Sequence, residues 1–175
     1  MRRLRNSLLF LFLAAWLAGA IAGDADKFFD PNLGDLADEL RAARQAGKQG
    51  VLLMFEMEGC PYCKRMREQI LSREDVQAYF HKRFSLFSID ALGNQPLSDF
   101  WGGQTNEKAF TRTLGIHGTP SFVIFGTDGR EVVRMTGPAK DADEFLRFGR
   151  YVADGHYRTQ SPEQFYPNAR SWKKP

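Results

Sequence analysis

The fold is decided by the stretch Val51-Leu52-Leu53-Met54-Phe55-Glu56-Met57-Glu58-Gly59-Cys60-Pro61-Tyr62-Cys63-Lys64. The apolar run at 51–55 shows almost no polar alternation, which predicts a strand buried on both faces. The helical composition of residues 65–71 predicts that a helix begins at the cysteines. Cys60 and Cys63 are the only two cysteines in the 175-residue chain. The pattern therefore places both thiols at the first turn of a helix that follows a central strand.

A thiol at the first turn of a helix lies close to unpaired backbone N–H groups and to the positive end of the helix dipole. Both favour the thiolate, so the sequence predicts a lowered pKa and a raised reactivity for Cys60. Cys63, one turn further along, is placed to attack a mixed disulfide formed at Cys60. Pro61 suits the first helical position, because its missing N–H would have no intrahelical partner. The pair predicts redox chemistry with Cys60 as the nucleophile.

Three other roles for the cysteine pair remain open at this stage. A structural disulfide would close a ring of four residues and contribute about 2 kcal/mol, less than a long loop gives. A metal site needs three or four ligands, and the sequence has no second cysteine pair and no close histidine cluster. Two unpaired core thiols are unusual beside a proline at a strand-to-helix junction. Redox chemistry is favoured over all three.

Residues 1–22 are predicted to be a signal peptide. Basic residues precede an apolar run of 15 residues that ends in the small-residue pattern Ala20-Ile21-Ala22, so cleavage is expected before Gly23. The run is short for a membrane span, which needs about 20 residues. An uncleaved membrane anchor is the alternative. The segment predicts export to the periplasm.

The charge balance argues against a nucleic-acid partner. The chain has 24 Lys and Arg against 21 Asp and Glu, and the three arginines of the signal leave 21 of each. The mature protein is therefore close to neutral, so the basic pI of the full sequence does not indicate nucleic-acid binding.

The mature chain is predicted to hold one domain. Residues 23–32 have the composition of a linker, 33–155 hold all the periodic segments, and 156–175 form a C-terminal tail that lies over the surface or is disordered. Expected details are a helix along 33–43, a capping box at Ser72 and Asp75, a loop at 91–105 and a hairpin turn at 127–130. Caps are also expected at Thr105 or Asn106 and at Asp141.

The order of these elements predicts an α/β fold. A βαβ unit is followed by a helix and a ββα unit, which gives a central mixed sheet of four to five strands flanked by helices on both faces.

The chain resembles the thioredoxin superfamily. The resemblance rests on Cys60-Pro61-Tyr62-Cys63 after a buried strand and on Thr119-Pro120 before a second strand, and it covers residues 33–153. More narrowly, the stretch 55–64 together with Gly118-Thr119-Pro120-Ser121 is similar to the exported SoxW-type thioredoxin-related proteins.

The resemblance implies a thioredoxin-like fold and roles for specific residues. Pro120 would follow a cis peptide bond and lie against the cysteines. Thr119 would offer its backbone N–H and C=O to an extended substrate segment. Pro61, Tyr62, Thr119 and Pro120 are thus expected to contact the substrate, and Cys60 and Cys63 to be catalytic.

One departure from the family pattern concerns the buried acid that assists the second cysteine. The corresponding position here is Met54. Glu56 and Glu58 are the available substitutes, and the alternative is that both are exposed strand-end residues. His117 is either at the rim of the active site or an ordinary surface histidine.

The sequence therefore predicts a periplasmic thiol:disulfide oxidoreductase that reduces protein disulfides, acts as a monomer and needs no cofactor or metal. The resemblance implies a membrane thiol reductase as electron donor and a periplasmic protein of sulfur oxidation or cytochrome maturation as recipient. The alternatives are a disulfide oxidase or isomerase, a glutaredoxin-like enzyme, and a metallochaperone or other binding module that uses Met57 and Met66.

Overall fold

The computed structural model describes residues 25–31 and 34–175. The predicted signal peptide lies outside the described residues, as do positions 23, 24 and 32 of the predicted linker. Within the described ranges, no helix is both long and apolar enough to span a membrane.

The elements of the central domain follow the predicted order. The helices are α1 (Leu36–Gln45), α2 (Pro61–Met66), α3 (Glu74–Arg83), α4 (Glu107–Thr113), α5 (Ala142–Ala153) and α6 (Pro162–Phe165). The strands are β1 (Gly50–Glu56), β2 (Phe84–Asp90), β3 (Pro96–Ser98), β4 (Gln104–Asn106), β5 (Ser121–Gly126), β6 (Glu131–Thr136) and β7 (Trp172–Lys173). A π-helical turn, Arg67–Leu71, continues α2, and short 3-10 turns lie at Ala25–Phe28 and His156–Arg158.

Five strands form one mixed sheet in the order β2-β1-β5-β6-β7. β1 pairs in parallel with β2 and antiparallel with β5. Buried side chains of α2, α3 and α5 pack on one face, and those of α1 and α4 pack on the other. This confirms the predicted α/β class with a mixed sheet between two helical layers.

β1 is the most deeply buried strand of the sheet. All residues from Val51 to Phe55 are fully buried. Leu52 and Met54 point into the first core, which they share with α2, α3 and α5. Their neighbours along the strand point into the second core, shared with α1 and α4. An uninterrupted apolar sequence is what such a strand requires.

The predicted helix caps are confirmed at two positions and wrong at a third. Asn106 Oδ1 accepts from the Ala109 N–H at 2.8 Å, and Asp141 Oδ1 accepts from the Glu144 N–H at 2.9 Å. The Ser72 hydroxyl instead donates to the Glu68 carbonyl at 2.7 Å. Ser72 remains bonded to the preceding π-helical turn and is not free to cap α3.

Residues 25–31 pack onto the domain, which corrects the prediction of a linker there. Phe28 is fully buried in the first core. The Asp30 N–H donates to the Leu86 carbonyl at 2.7 Å, and the Asp30 carboxylate accepts from the Leu86 N–H at 3.0 Å. Since β2 is an edge strand, Asp30 satisfies backbone groups that the sheet leaves open.

The predicted loop at 91–105 contains the β3–β4 hairpin, in which Leu97 pairs with Thr105. Phe100 is only 7% exposed, and its ring centroid lies 4.5 Å from that of Phe125 in the second core. Trp101 is 62% exposed. Phe100 therefore covers the core, whereas Trp101 lies at the surface.

Residues 156–175 contribute a strand to the sheet, whereas the sequence predicted a C-terminal tail that lies over the surface or is disordered. β7 adds to the edge of the sheet, where Trp172 pairs with Met135 of β6. Trp172 is 1% exposed, and its ring packs against Phe148, with centroids 5.3 Å apart. The last residues of the chain thus complete the first core.

Replacing Trp172 by alanine should lower the free energy of unfolding by about 3–5 kcal/mol, because a buried indole is lost from a packed core. Trp101→Ala is the matched control and should change it by less than about 0.5 kcal/mol, since that side chain is exposed. Urea unfolding of both variants in the same redox state measures the difference. Equal effects of the two substitutions would contradict the packing of the C-terminal segment.

Candidate active site

The two cysteines lie where β1 leads into α2. Gly59 precedes them with φ +72°, a left-handed conformation that glycine adopts without penalty. Cys60 is the N-cap of α2 and Pro61 occupies its first turn. The Cys63 N–H donates to Cys60 Sγ at 3.2 Å, and a disulfide joins the two residues. The structure therefore describes the oxidised pair, with one sulfur at a helix N-terminus as predicted.

The loop before β5 lies directly against this sulfur. The Thr119 hydroxyl donates to Cys60 Sγ at 3.4 Å, and the Thr119 carbonyl oxygen lies 3.6 Å from the same atom. The peptide bond between Thr119 and Pro120 is cis. Among the described residues, no hydrogen bond occupies the Thr119 N–H. One face of Thr119 thus touches the disulfide while its N–H is available to another molecule.

The side chains around the disulfide differ in accessibility. Cys60 is 6% exposed and Cys63 is 3% exposed, whereas Tyr62 is 56% exposed. Pro61 is exposed and Pro120 is buried. A molecule approaching this site therefore meets Pro61, Tyr62 and Thr119 before it reaches Cys60.

A cavity of about 470 Å³ opens beside the disulfide and is lined by both cysteines and by an ion pair that the sequence did not reveal. Its members are Glu56, at the end of β1, and Arg67, one turn after Cys63. The Arg67 Nε donates to Glu56 Oε2 at 2.9 Å, and Nη2 and the Ser88 hydroxyl both donate to Glu56 Oε1. The carboxylate is therefore fixed by three donors.

This environment determines the charge of Glu56. Burial raises the pKa of its carboxyl, but the hydrogen bonds from Arg67 and Ser88 and the charge of Arg67 lower it by more. The pKa therefore lies below its ordinary value, and Glu56 is a bound carboxylate at neutral pH. Glu56 thus lines the cavity beside the disulfide as a carboxylate that its partners hold ionised. Glu58, the other substitute considered, is exposed.

Arg67 connects the active-site helix to the N-terminal segment. Its Nη1 lies 3.1 Å from Asp26 Oδ1, and its guanidinium stacks over the Phe29 ring at 4.9 Å from the centroid. The signal that could have identified Arg67 is its spacing, since residues i and i+4 share a helix face and Arg67 follows Cys63 by four.

The structure also locates His117 and the two methionines, Met57 and Met66, that the sequence singles out. His117 is exposed and lines a second cavity together with Thr119, so it lies at the rim of the site. Met66 is fully buried and Met57 is 41% exposed. In the part of the chain that the structure describes, no three residues of the types His, Cys, Asp and Glu are grouped to hold a metal ion.

Three solved structures illustrate what this arrangement is similar to. A thioredoxin-fold protein from Helicobacter pylori has a TM-score of 0.65 and 15% identity, over 85% of this chain and 91% of that chain. A DsbH oxidoreductase has a TM-score of 0.56 and 15% identity, over 88% and 94% respectively. A thioredoxin from Thermus thermophilus has a TM-score of 0.52 and 26% identity, over 71% and 92%. The first two likenesses show the fold alone.

A comparison with curated proteins gives no significant match. A family model described as a thioredoxin-like domain matches residues 36–153. That range begins with α1, ends with α5 and includes both cysteines and Thr119. The chain therefore belongs to the thioredoxin-like domain family.

Proposed function

We propose that this protein is an exported thiol:disulfide oxidoreductase that reduces disulfides of periplasmic proteins. The observation that carries the proposal is the contact between Cys60 Sγ, at the start of α2, and Thr119, whose N–H is available. A disulfide that served only to stabilise the fold would not need a free backbone donor beside it. The family and the structural neighbours support thiol–disulfide oxidoreductase chemistry in general.

The reaction transfers two electrons from the cysteine pair to the substrate disulfide, and the total number of thiols does not change. The Cys60 thiolate attacks one sulfur of the substrate disulfide, forms a mixed disulfide and releases the other substrate sulfur as a thiolate, which takes up a proton. Cys63, as thiolate, then attacks Cys60 Sγ and releases the second substrate thiol. The substrate is reduced, and the enzyme ends with the Cys60–Cys63 disulfide that the structure shows.

The geometry supports different roles for the two cysteines. Cys60 is the N-cap of α2 and receives the Cys63 N–H at 3.2 Å, so its thiolate is stabilised by a backbone donor and by the helix dipole. Cys63 is the more buried of the two, at 3% exposure, which suits a resolving thiol that must reach only Cys60.

The substrate is expected to bind as an extended segment beside Thr119. The N–H and C=O of Thr119 would pair with the segment as an added strand does, and Pro61 and Tyr62 would contact its other side. No cofactor takes part in this exchange.

The direction of the reaction, which is reduction of the substrate, and the periplasmic location are proposed from the sequence. The basic and apolar segment at 1–22 supports export, and the resemblance to SoxW-type proteins supports a periplasmic reductase. Because disulfides persist in that compartment, a reductase there needs an electron source. A membrane thiol reductase would supply electrons to the Cys60–Cys63 disulfide through a second exchange.

Cys60→Ser should abolish the reduction of insulin disulfides, because the attacking sulfur is lost. Cys63→Ser should leave the first attack intact and accumulate mixed disulfides with substrates, which non-reducing electrophoresis of cell extracts detects. The double variant is the control and should trap nothing. Activity of Cys60→Ser, or the absence of trapped species with Cys63→Ser, would contradict these roles.

The reduction potential of the Cys60–Cys63 pair should lie near or below about −220 mV, in the range of reducing members. Equilibration in thiol buffers followed by alkylation of free thiols measures it. A value between about −120 and −180 mV would instead indicate an oxidase or isomerase and would refute the reductase direction.

The Glu56–Arg67 pair should set this potential. Glu56→Gln leaves the positive charge of Arg67 near Cys63 less neutralised. That charge stabilises the thiolate of the reduced pair, so the reduction potential should rise by about 10–30 mV. Arg67→Gln leaves a carboxylate there, destabilises thiolate and should lower the potential by a similar amount.

The same thiol-buffer equilibrium measures both variants, and Glu74→Gln, an exposed glutamate on α3, is the control that should leave the potential unchanged. Opposite shifts are specific to an electrostatic role. Shifts of the same sign, or loss of stability alone, would show that the pair is only structural.

A further inference from the structure

Two cavities that share lining residues lie on the side of the active site that Thr119 forms. The first has a volume of about 250 Å³ and is lined by Thr119, Lys108 and Arg112. The second has a volume of about 470 Å³ and is lined by Arg170 and Lys173. Ile116 and His117 line both, so the two cavities are adjacent. We call this surface the cationic groove and define it by Lys108, Arg112, His117, Arg170 and Lys173.

The positive charges of the groove are not neutralised locally. Within residues 25–31 and 34–175, no acidic side chain lines either cavity. Over the same range, Lys108, Arg112, Arg170 and Lys173 form no ion pair. Arg134 also lines the second cavity, but it is not counted among these cations because its Nε donates to Glu131 at 2.6 Å.

This concentration of charge is not a consequence of composition. Without the three arginines of the predicted signal, the chain has 21 basic and 21 acidic residues. A neutral chain that leaves four cations without an ion pair around these two adjacent cavities has segregated its charges there. Such a groove attracts anionic groups and raises their local concentration.

Apolar side chains lie at the end of the groove nearest the disulfide. Met57 is 41% exposed and Leu92 is 60% exposed, and both line the first cavity together with Thr119. Thr119 in turn touches Cys60 Sγ. A chain bound at Thr119 would therefore cross an apolar site first and then pass along the cations.

We propose that the cationic groove binds an acidic segment of the protein substrate that adjoins its reacting cystine. This inference rests on the proposed function and specifies its substrate class. Carboxylates next to the cystine would pair with Arg112 and Lys108, and those further along would reach Arg170 and Lys173. Because these cations are largely exposed, each pair contributes little by itself, and the main effect is faster association at low salt.

The test uses three substrates, each made of two short peptide chains joined by the same disulfide. They differ only in the residues that flank this disulfide, which are acidic, neutral or basic. Reduction is followed by release of a fluorophore, with dithiothreitol as the electron source. We expect kcat/KM for the acidic peptide to exceed that for the neutral one about tenfold at low ionic strength. The preference should shrink when ionic strength rises from about 10 mM to about 150 mM and the Debye length falls from ~30 Å to ~8 Å.

Charge reversal locates the effect on the protein. Arg112→Glu and Arg170→Glu should each lower the ratio of acidic to neutral kcat/KM by about threefold or more, and Arg112→Glu should favour the basic peptide. Lys82→Glu is the matched control. Lys82 is an exposed lysine on α3, across the sheet from α4, and forms no ion pair with any residue that the structure describes. Its substitution should leave the ratio unchanged. Thermal unfolding verifies that all variants are folded.

Three outcomes overturn the inference or its basis. Equal kcat/KM for all three peptides, without salt dependence, refutes the acidic substrate and leaves the proposed function intact. The second outcome is equal kcat/KM for the three peptides together with binding of the protein to phosphatidylglycerol vesicles. If Arg170→Glu abolishes that binding, the groove is assigned to a membrane surface and the inference is overturned. No reduction of any peptide refutes the proposed function itself.

Discussion

The register between β1 and β5 is the constraint on which the rest of the structure depends. Cys60 and Thr119 are 59 residues apart in the chain. They meet because β1 pairs antiparallel with β5, with Phe55 opposite Ser121. That register brings the loop before β5 beside the turn that follows β1. A slip of one residue would exchange the side chains that β1 gives to the two cores and would shift Thr119 relative to Cys60, so the contact at the active site depends on this register.

Around that contact, charge is arranged differently on the two sides of the disulfide. On the side of α2, Lys64 has Glu68 at 3.7 Å, and Arg67 is held by Glu56 and Asp26. The positive charges of Lys64 and Arg67 are thus paired, and the lowered pKa of Glu56 keeps its carboxylate charged at neutral pH. On the side of Thr119, Arg112 and Lys108 have no such partners among the described residues. The chemistry of the sulfur and the attraction of an anionic substrate are thereby assigned to different surfaces.

The sequence predicts the features that depend on neighbouring residues, and it misses those that depend on contacts between distant segments of the chain. The apolar run of β1, the cysteine spacing and the hairpin at Gly129 are local signals, and the architecture they predict is confirmed. Phe28 and Trp172 lie in segments without periodicity, and they are buried because distant residues complete the core around them. A strand of two residues such as β7 has no local pattern, since its pairing is decided by the free edge of β6. The Glu56–Arg67 pair was missed because it joins a strand end to a helix face.

These missed features bear on function as well as stability. The segment 25–31, which lies outside the range that the family model matches, contributes Asp26 and Phe29 to the surroundings of Arg67. The C-terminal segment contributes Arg170 and Lys173 beyond the same range. The shared domain therefore supplies the cysteines and Thr119, on which the proposed exchange reaction depends. The flanking segments supply charges around that reaction, and differences of substrate within such a family can arise from segments that the common fold does not require.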